Sequence, residues 1–172
     1  MIEVVPSCSL IREAAELSDD MGELKNSITR GQGNIYGFLG ELLVANYISA
    51  VIKRTHDYDI IKGNVRIDVK TKSCTSKPKP HYFCTVADFN TRQACDYYAF
   101  VRILEDFSCA WILGYIDKIK FYQQALFFHE GDRDPTYHNG WCFKADCYNL
   151  PISSLIQFKI RHLLTDSGEP VR

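Results

Sequence analysis

The 172-residue chain carries 46% hydrophobic and 24% charged residues, the usage of a folded globular domain rather than of a disordered or fibrous chain. Its formal net charge of -1 excludes a polycation that coats nucleic acid over its whole surface. No apolar run reaches the roughly 20 residues that span a bilayer, so no membrane partner is expected, and the length predicts a single domain over 1–172.

The start, MIEVVPSCSLIREAAEL, has Glu3 early and no basic residue ahead of an apolar block, which does not read as a signal peptide. The seven cysteines (Cys8, Cys74, Cys84, Cys95, Cys109, Cys142 and Cys147) are odd in number and scattered. They are expected as reduced thiols in a cytoplasmic, intracellular protein. Cys142 and Cys147, with His129 and His138 upstream, match no standard zinc spacing, so no zinc is expected.

The apolar spacing of Leu10, Ala14, Leu17, Met21 and Leu24 predicts a helix over 9–25, capped by Ser7 or Ser9. The polar segment NSITRGQGN (26–34) breaks it. A second helix is predicted from about 35 to 50, with Ile35, Phe38, Leu39, Leu42 and Leu43 as its stripe. Glu41 borders that stripe, and a buried carboxylate needs a partner. Gly37 and Gly40 each weaken the helix by about 1 kcal/mol relative to Ala, and suit a place where something approaches the backbone closely.

A hairpin follows at YDIIKGNVRIDVKTK (58–72), then the stiff basic loop TSKPKPHYF. Strands are predicted at 82–89, 95–104 and 109–116, rich in aromatic and β-branched residues. Asp117 is placed to cap a short helix near 118–128. A loop over 129–140, a last strand over 141–150 and a closing helix over 152–163 complete the chain. Helices come first, strands follow, and the class is α/β or α+β.

Charge is uneven. Residues 53–92 hold nine Lys or Arg against four Asp, 9 - 4 = +5, leaving -6 elsewhere. A local basic field of this kind fits either a docked polyanion or a solvated lysine-rich loop.

The hairpin raises the chemical question. In VRIDVKTK, Val65, Ile67, Val69 and Thr71 point one way, and Arg66, Asp68, Lys70 and Lys72 the other. If Gly63-Asn64 is a two-residue turn, Lys62 pairs with Val65, Ile61 with Arg66, Ile60 with Ile67 and Asp59 with Asp68. The two carboxylates then stand about 5 Å apart at Cβ, which is destabilising unless something intervenes. A three-residue turn would make them diagonal neighbours. A shared proton, a lysine or a divalent cation would each resolve the conflict. Mg²⁺ takes carboxylate oxygens and keeps exchangeable waters, Glu41 is a third oxygen donor within reach of the order of elements, and Lys70 shares the face of Asp68.

The helix Glu41 in GFLGELLVANYI, the strand Asp59, and the triplet Asp68-Val69-Lys70 resemble the PD-(D/E)XK nuclease superfamily, over roughly 33–104. Tyr58, rather than proline, precedes Asp59. The resemblance implies a restriction-endonuclease-like core, a central mixed sheet flanked by helices. It implies a Mg²⁺-dependent endonuclease, with Mn²⁺ able to substitute, that cleaves phosphodiesters of DNA to leave 5′-phosphates. Glu41, Asp59 and Asp68 would bind the metal and Lys70 would join them in catalysis. The family's small resolvases imply a Holliday-junction resolvase as an alternative, and a homodimer. A non-catalytic nucleic-acid-binding module with the same fold is a reading from another class, and RNA as the partner stays open. Residues 109–172 match no motif of the family. Lys72, Lys77 and Lys79, together with Arg30, Gln32 and Asn34, are candidate nucleic-acid contacts or ordinary exposed polar residues.

Overall fold

Residues 1–21, 34–136 and 140–159 are described by a computed structural model of the chain. They form, in order, strand β1 (Ile2–Val4), helix α1 (Cys8–Met21), helix α2 (Asn34–Ile48), strands β2 (Val51–Ile52), β3 (Ile60–Lys62), β4 (Val65–Cys74), β5 (Phe83–Ala87), β6 (Tyr97–Leu104) and β7 (Ala110–Asp117), helix α3 (Lys118–Gln124), and strands β8 (Leu126–Phe128) and β9 (Cys147–Pro151). The class is α+β. A six-stranded mixed sheet runs β1-β7-β6-β4-β3-β2, with β4 and β6 parallel and the other neighbours antiparallel. A second, antiparallel sheet runs β5-β9-β8.

The period-2 alternation of the central strands divides the core into two layers. Ile67 and Val69 of β4, Ala99, Val101 and Ile103 of β6, and Ala110 and Ile112 of β7 face α1 and α2. Tyr98 and Phe100 of β6, with Trp111 and Leu113 of β7, face the second sheet and α3. Helix α2 is buried from Phe38 to Ala45 without interruption, because α1 covers one side of it and the sheet the other. A helix enclosed this way is apolar all round, and Glu41 is the exception within it.

Two glycines are forced by close approach. A Cβ on Gly40 would lie 1.9 Å from Thr71 Oγ1, so its absence lets α2 settle onto β4. Gly114 sits at φ 141 beside a bulge between β6 and β7, where a Cβ would meet the Ile156 carbonyl oxygen at 2.6 Å. Gly37, by contrast, has nothing within 4 Å of a Cβ.

Ser7 caps α1, its Oγ accepting the Leu10 N–H, and Asp117 caps α3, its Oδ1 accepting the Lys120 N–H. Met21 at the end of α1 is exposed, and the predicted continuation over 22–25, like the break over 26–33, lies outside the described residues. Three expectations are corrected. The strand predicted over 141–150 begins only at Cys147. Trp141 and Phe143 instead exchange backbone hydrogen bonds with residues 131–134, and Phe143 packs with Phe83 and Cys147 in a small core of its own. The helix near 118–128 ends at Gln124, because Leu126–Phe128 pair with β9. In place of a closing helix from 152, a single 3-10 turn at Ile152–Ser154 leads to Ile156, which bridges Tyr115; residues 160–163 lie outside the described residues. Among the described residues no helix is long and apolar enough to cross a membrane.

Candidate active site

The Gly63-Asn64 turn sets the hairpin register. Lys62 faces Val65, Ile61 faces Arg66 and Ile60 faces Ile67, with Gly63 at φ 59, the left-handed conformation such a turn requires. The ladder stops there. The Asp59 N–H donates to the Ile67 carbonyl at 3.1 Å, and the Asp59 carbonyl accepts the N–H groups of Lys53 and Arg54. Its carboxylate Oδ2 accepts the Val69 N–H at 2.6 Å. The expected ladder pair between Asp59 and Asp68 is therefore replaced by a side-chain cap on the strand. The cap still leaves the two carboxylates close enough to disturb one another.

Glu41, Asp59 and Asp68 come together from helix, hairpin and strand. Burial, and secondarily the Asp68 and Glu41 charges, push Asp59 well above the usual carboxylate range. Burial raises Glu41 to about 7, opposed by Arg54 and helped by Asp68. Asp68 is 2% exposed. Its Oδ2 lies 2.7 Å from Lys70 Nζ, yet out of line for a hydrogen bond. The contact is a Coulombic pair and not a directed one.

Lys70 Nζ does donate to Gln93 Oε1 at 3.1 Å. Gln93 is itself fixed: its Nε2 donates to the His56 carbonyl, and its own carbonyl accepts Lys118 Nζ from α3. On the other side, Arg54 Nε donates to Glu41 Oε2 at 3.1 Å. Arg54 has φ 49, a left-handed conformation that costs a non-glycine residue of order 1 kcal/mol or more. Its guanidinium lies over the Phe38 ring, and its Nη2 is buried without a hydrogen-bond partner.

Sequence reasoning missed Arg54 and Gln93 as parts of the site. Arg54 entered only as one charge of a basic segment, and nothing in TRQACD marks Gln93. Both act through contacts across loops, which leave no spacing signature.

The donor set is made of hard carboxylate oxygens, the chemistry of a Mg²⁺ or Mn²⁺ site. Among the described residues no three His, Cys, Asp or Glu side chains converge tightly enough to enclose an ion as they stand. The cations beside these carboxylates are Arg54 at Glu41, 3.1 Å away, and Lys70 at Asp68, 2.7 Å away. Three mutually repelling carboxylates, Glu41 and Asp68 buried and Asp59 half-buried, and the under-bonded Asp68 Oδ2 fit a divalent cation, provided that Arg54 moves off Glu41.

The remaining candidates separate. Lys72 projects from the same face of β4 as Lys70, with its Nζ 4.4 Å from the Trp141 ring centroid. Burial, then the Arg102 charge, lower it to about 8. Lys77 pairs with Glu3 at 2.7 Å. Glu3 lies on β1, opposite Trp111, which is opposite Arg102, which is opposite Lys72. Three strand spacings, about 14 Å, thus separate Glu3 from Lys72. Lys79 is exposed, and Asn34 opens α2. Arg30 and Gln32 lie outside the described residues. Of the residues weighed for zinc, Cys147 is buried in β9, Cys142 is exposed, and His129 lies 3.5 Å from Asp146; His138 lies outside the described residues. No family model matches the chain, and no curated protein matches it.

Proposed function

We propose that the protein is a divalent-metal-dependent deoxyribonuclease of the PD-(D/E)XK kind, acting as an endonuclease on phosphodiester bonds. One observation carries the reading. Three carboxylates, Glu41 and Asp68 buried and Asp59 half-buried, share a site with an ammonium, Lys70, that hydrogen-bonds outward to a fixed amide. A merely structural cluster of this kind contributes little, because desolvating the charges offsets most of their attraction.

Glu41, Asp59 and Asp68 would hold the metal. When bound, it supplies Lewis-acid polarisation of the phosphoryl oxygen and lowers the pKa of an attacking water. Lys70, held by Gln93, orients that water and balances the charge that develops on the phosphoryl oxygens. The water oxygen bonds to phosphorus, the bond to the 3′-oxygen breaks, and the departing oxygen takes up a proton. The products are a 5′-phosphate and a 3′-hydroxyl.

The Glu41–Arg54 and Asp68–Lys70 pairs favour a second reading, a nucleic-acid-binding module whose carboxylates are permanently closed by cations. Incubation with plasmid, linear, single-stranded and four-way-junction DNA, each with Mg²⁺ and with EDTA, separates the two. Metal-dependent cleavage of any of these supports the nuclease, and cleavage confined to the junction narrows it to a resolvase. Binding without cleavage, together with equal Mn²⁺ titration heats for wild type and Asp68→Asn, leaves the binding module.

A further inference from the structure

A cleft of about 580 Å³ opens beside Lys70, between the β4–β6 face of the main sheet and the second sheet. Its walls carry four cations, Lys70, Lys72, Arg102 and Lys144; Asp68 lies 2.7 Å from Lys70, and the Asp134 charge acts on Lys72. In a chain of net charge -1, four cations against two acids at this place favour an anion. Arg102 is buried and anchored, its Nη2 donating to the Phe83 carbonyl. Its charge therefore cannot turn away from the cleft into solvent.

The apolar part of the lining includes the aromatics Phe89, Phe100, Trp141 and Phe143. Phe89 stands on the 3-10 turn Asp88–Asn90 and is 59% exposed. Trp141 and the buried Phe143 pack edge to face with each other. A second cavity of about 260 Å³ shares Lys72, Ser73, Arg102 and Trp141 with the first. The two make a path from Lys70 past Lys72 toward Cys74. Lys70 and Lys72 are two residues apart on one face of a strand, about 6.6 Å, comparable with the separation of successive phosphates in an extended strand.

We infer that this cleft seats the unpaired nucleotides of a single-stranded DNA or RNA segment, its phosphates on Lys72 and Lys144 and a base on Phe89, leading the strand to Lys70. The inference rests on the nuclease reading only for what happens at Lys70, and it names the substrate class of that site. A paired strand hides its base faces in the stack, whereas an unpaired one offers them to aromatic side chains, typically for about 1–3 kcal/mol per base. The volume is of the scale that holds one small ligand or nucleotide.

The test separates binding from cleavage. Fluorescence anisotropy in EDTA compares a labelled oligothymidylate, an oligouridylate and a duplex of mixed sequence, for wild type, Phe89→Ala and Lys144→Ala. Both substitutions are at exposed positions and leave the core intact. Wild type is expected to bind the single strands at least about tenfold more tightly than the duplex. Phe89→Ala is expected to weaken single-strand binding about tenfold, and Lys144→Ala to reduce its log–log salt slope by about 0.7. The two oligonucleotides distinguish DNA from RNA as the source of the strand. Duplex binding as tight as single-strand binding, or single-strand affinity untouched by either substitution, overturns the inference. Cleavage in Mg²⁺ is measured separately. A protein that cuts duplex DNA and ignores single strands refutes the cleft and keeps the nuclease. One that binds single strands through Phe89 and cuts nothing supports the cleft and refutes the nuclease.

Discussion

Arg54 reaches Glu41 from a left-handed backbone, Nε to Oε2 at 3.1 Å with φ 49, and so a strained loop residue neutralises the one acid buried inside α2. The pair is the feature of the site that a bound dication would have to displace, and it yields the most direct test of the metal assignment. Arg54→Ala leaves Glu41 without its cation. Because the Arg54 side chain is 29% exposed, the loss is discounted to about 1–2 kcal/mol of stability. Mn²⁺ is then expected to raise the melting temperature of the variant by more than that of wild type, since the ion takes over the missing charge. Equal Mn²⁺-induced shifts in the two proteins would count against a metal between these carboxylates.

Lys70 and Gln93 form a donor–acceptor pair at 3.1 Å, with chemistry assigned to the first and positioning to the second. Lys70→Ala is expected to fold, to bind nucleic acid and to lose about a hundredfold or more in cleavage rate. Gln93→Ala is expected to lose about tenfold in kcat with KM little changed, and Gln93→Glu, which keeps an acceptor for Lys70, to recover part of it. Near-normal cleavage by Lys70→Ala, with a lowered melting temperature, would falsify the catalytic assignment and return the Asp68–Lys70 pair to structure.

Acid stability follows from the same carboxylates. Glu41 titrates at about 7 in the folded protein, against an ordinary 4.5, and Asp59 is also raised. Between these limits the folded state holds protons that the unfolded state has released. The Glu41 part of the stability in EDTA is therefore expected to fall as pH rises from about 4.5 to about 7. Thermal melts across that range check the sign. Glu41→Gln, which removes the titration and keeps the shape, is expected to flatten the slope.

The glycines of α2 should answer a methyl group with opposite signs. Gly40→Ala drives a Cβ into Thr71 Oγ1 at 1.9 Å and is expected to cost about 1–3 kcal/mol. Thr71→Ala, by removing that oxygen, is expected to recover part of the loss in the double variant. Gly37→Ala meets nothing within 4 Å and is expected to stabilise by about 0.5–1 kcal/mol. Denaturant midpoints of the four proteins decide it.

The sequence by itself determined whatever depends on local period and turn chemistry. Alternation in VRIDVKTK put Lys70 and Lys72 on one face of β4 and Thr71 on the other. Gly63-Asn64 gave the register as far as Ile60 and Ile67, because a two-residue turn leaves the strands no other pairing. The cap at Asp117, and that of α1 as Ser7 or Ser9, were legible for the same reason: a side chain bonds a backbone group three residues on, as Ser7 and Asp117 do. Short strands such as β1, β2 and β8 were not legible, since two or three residues show no alternation and form only because a longer partner offers its edge. The same limit hid the end of the ladder at Asp59, where a carboxylate outcompeted a carbonyl for the Val69 N–H. The partners of the site's charges, the guanidinium of Arg54 for Glu41 and the amide of Gln93 for Lys70, were decided by tertiary structure alone. Their partners lie 13 and 23 positions away along the chain, and only the desolvation of buried charge, which no spacing rule expresses, made a partner necessary at all.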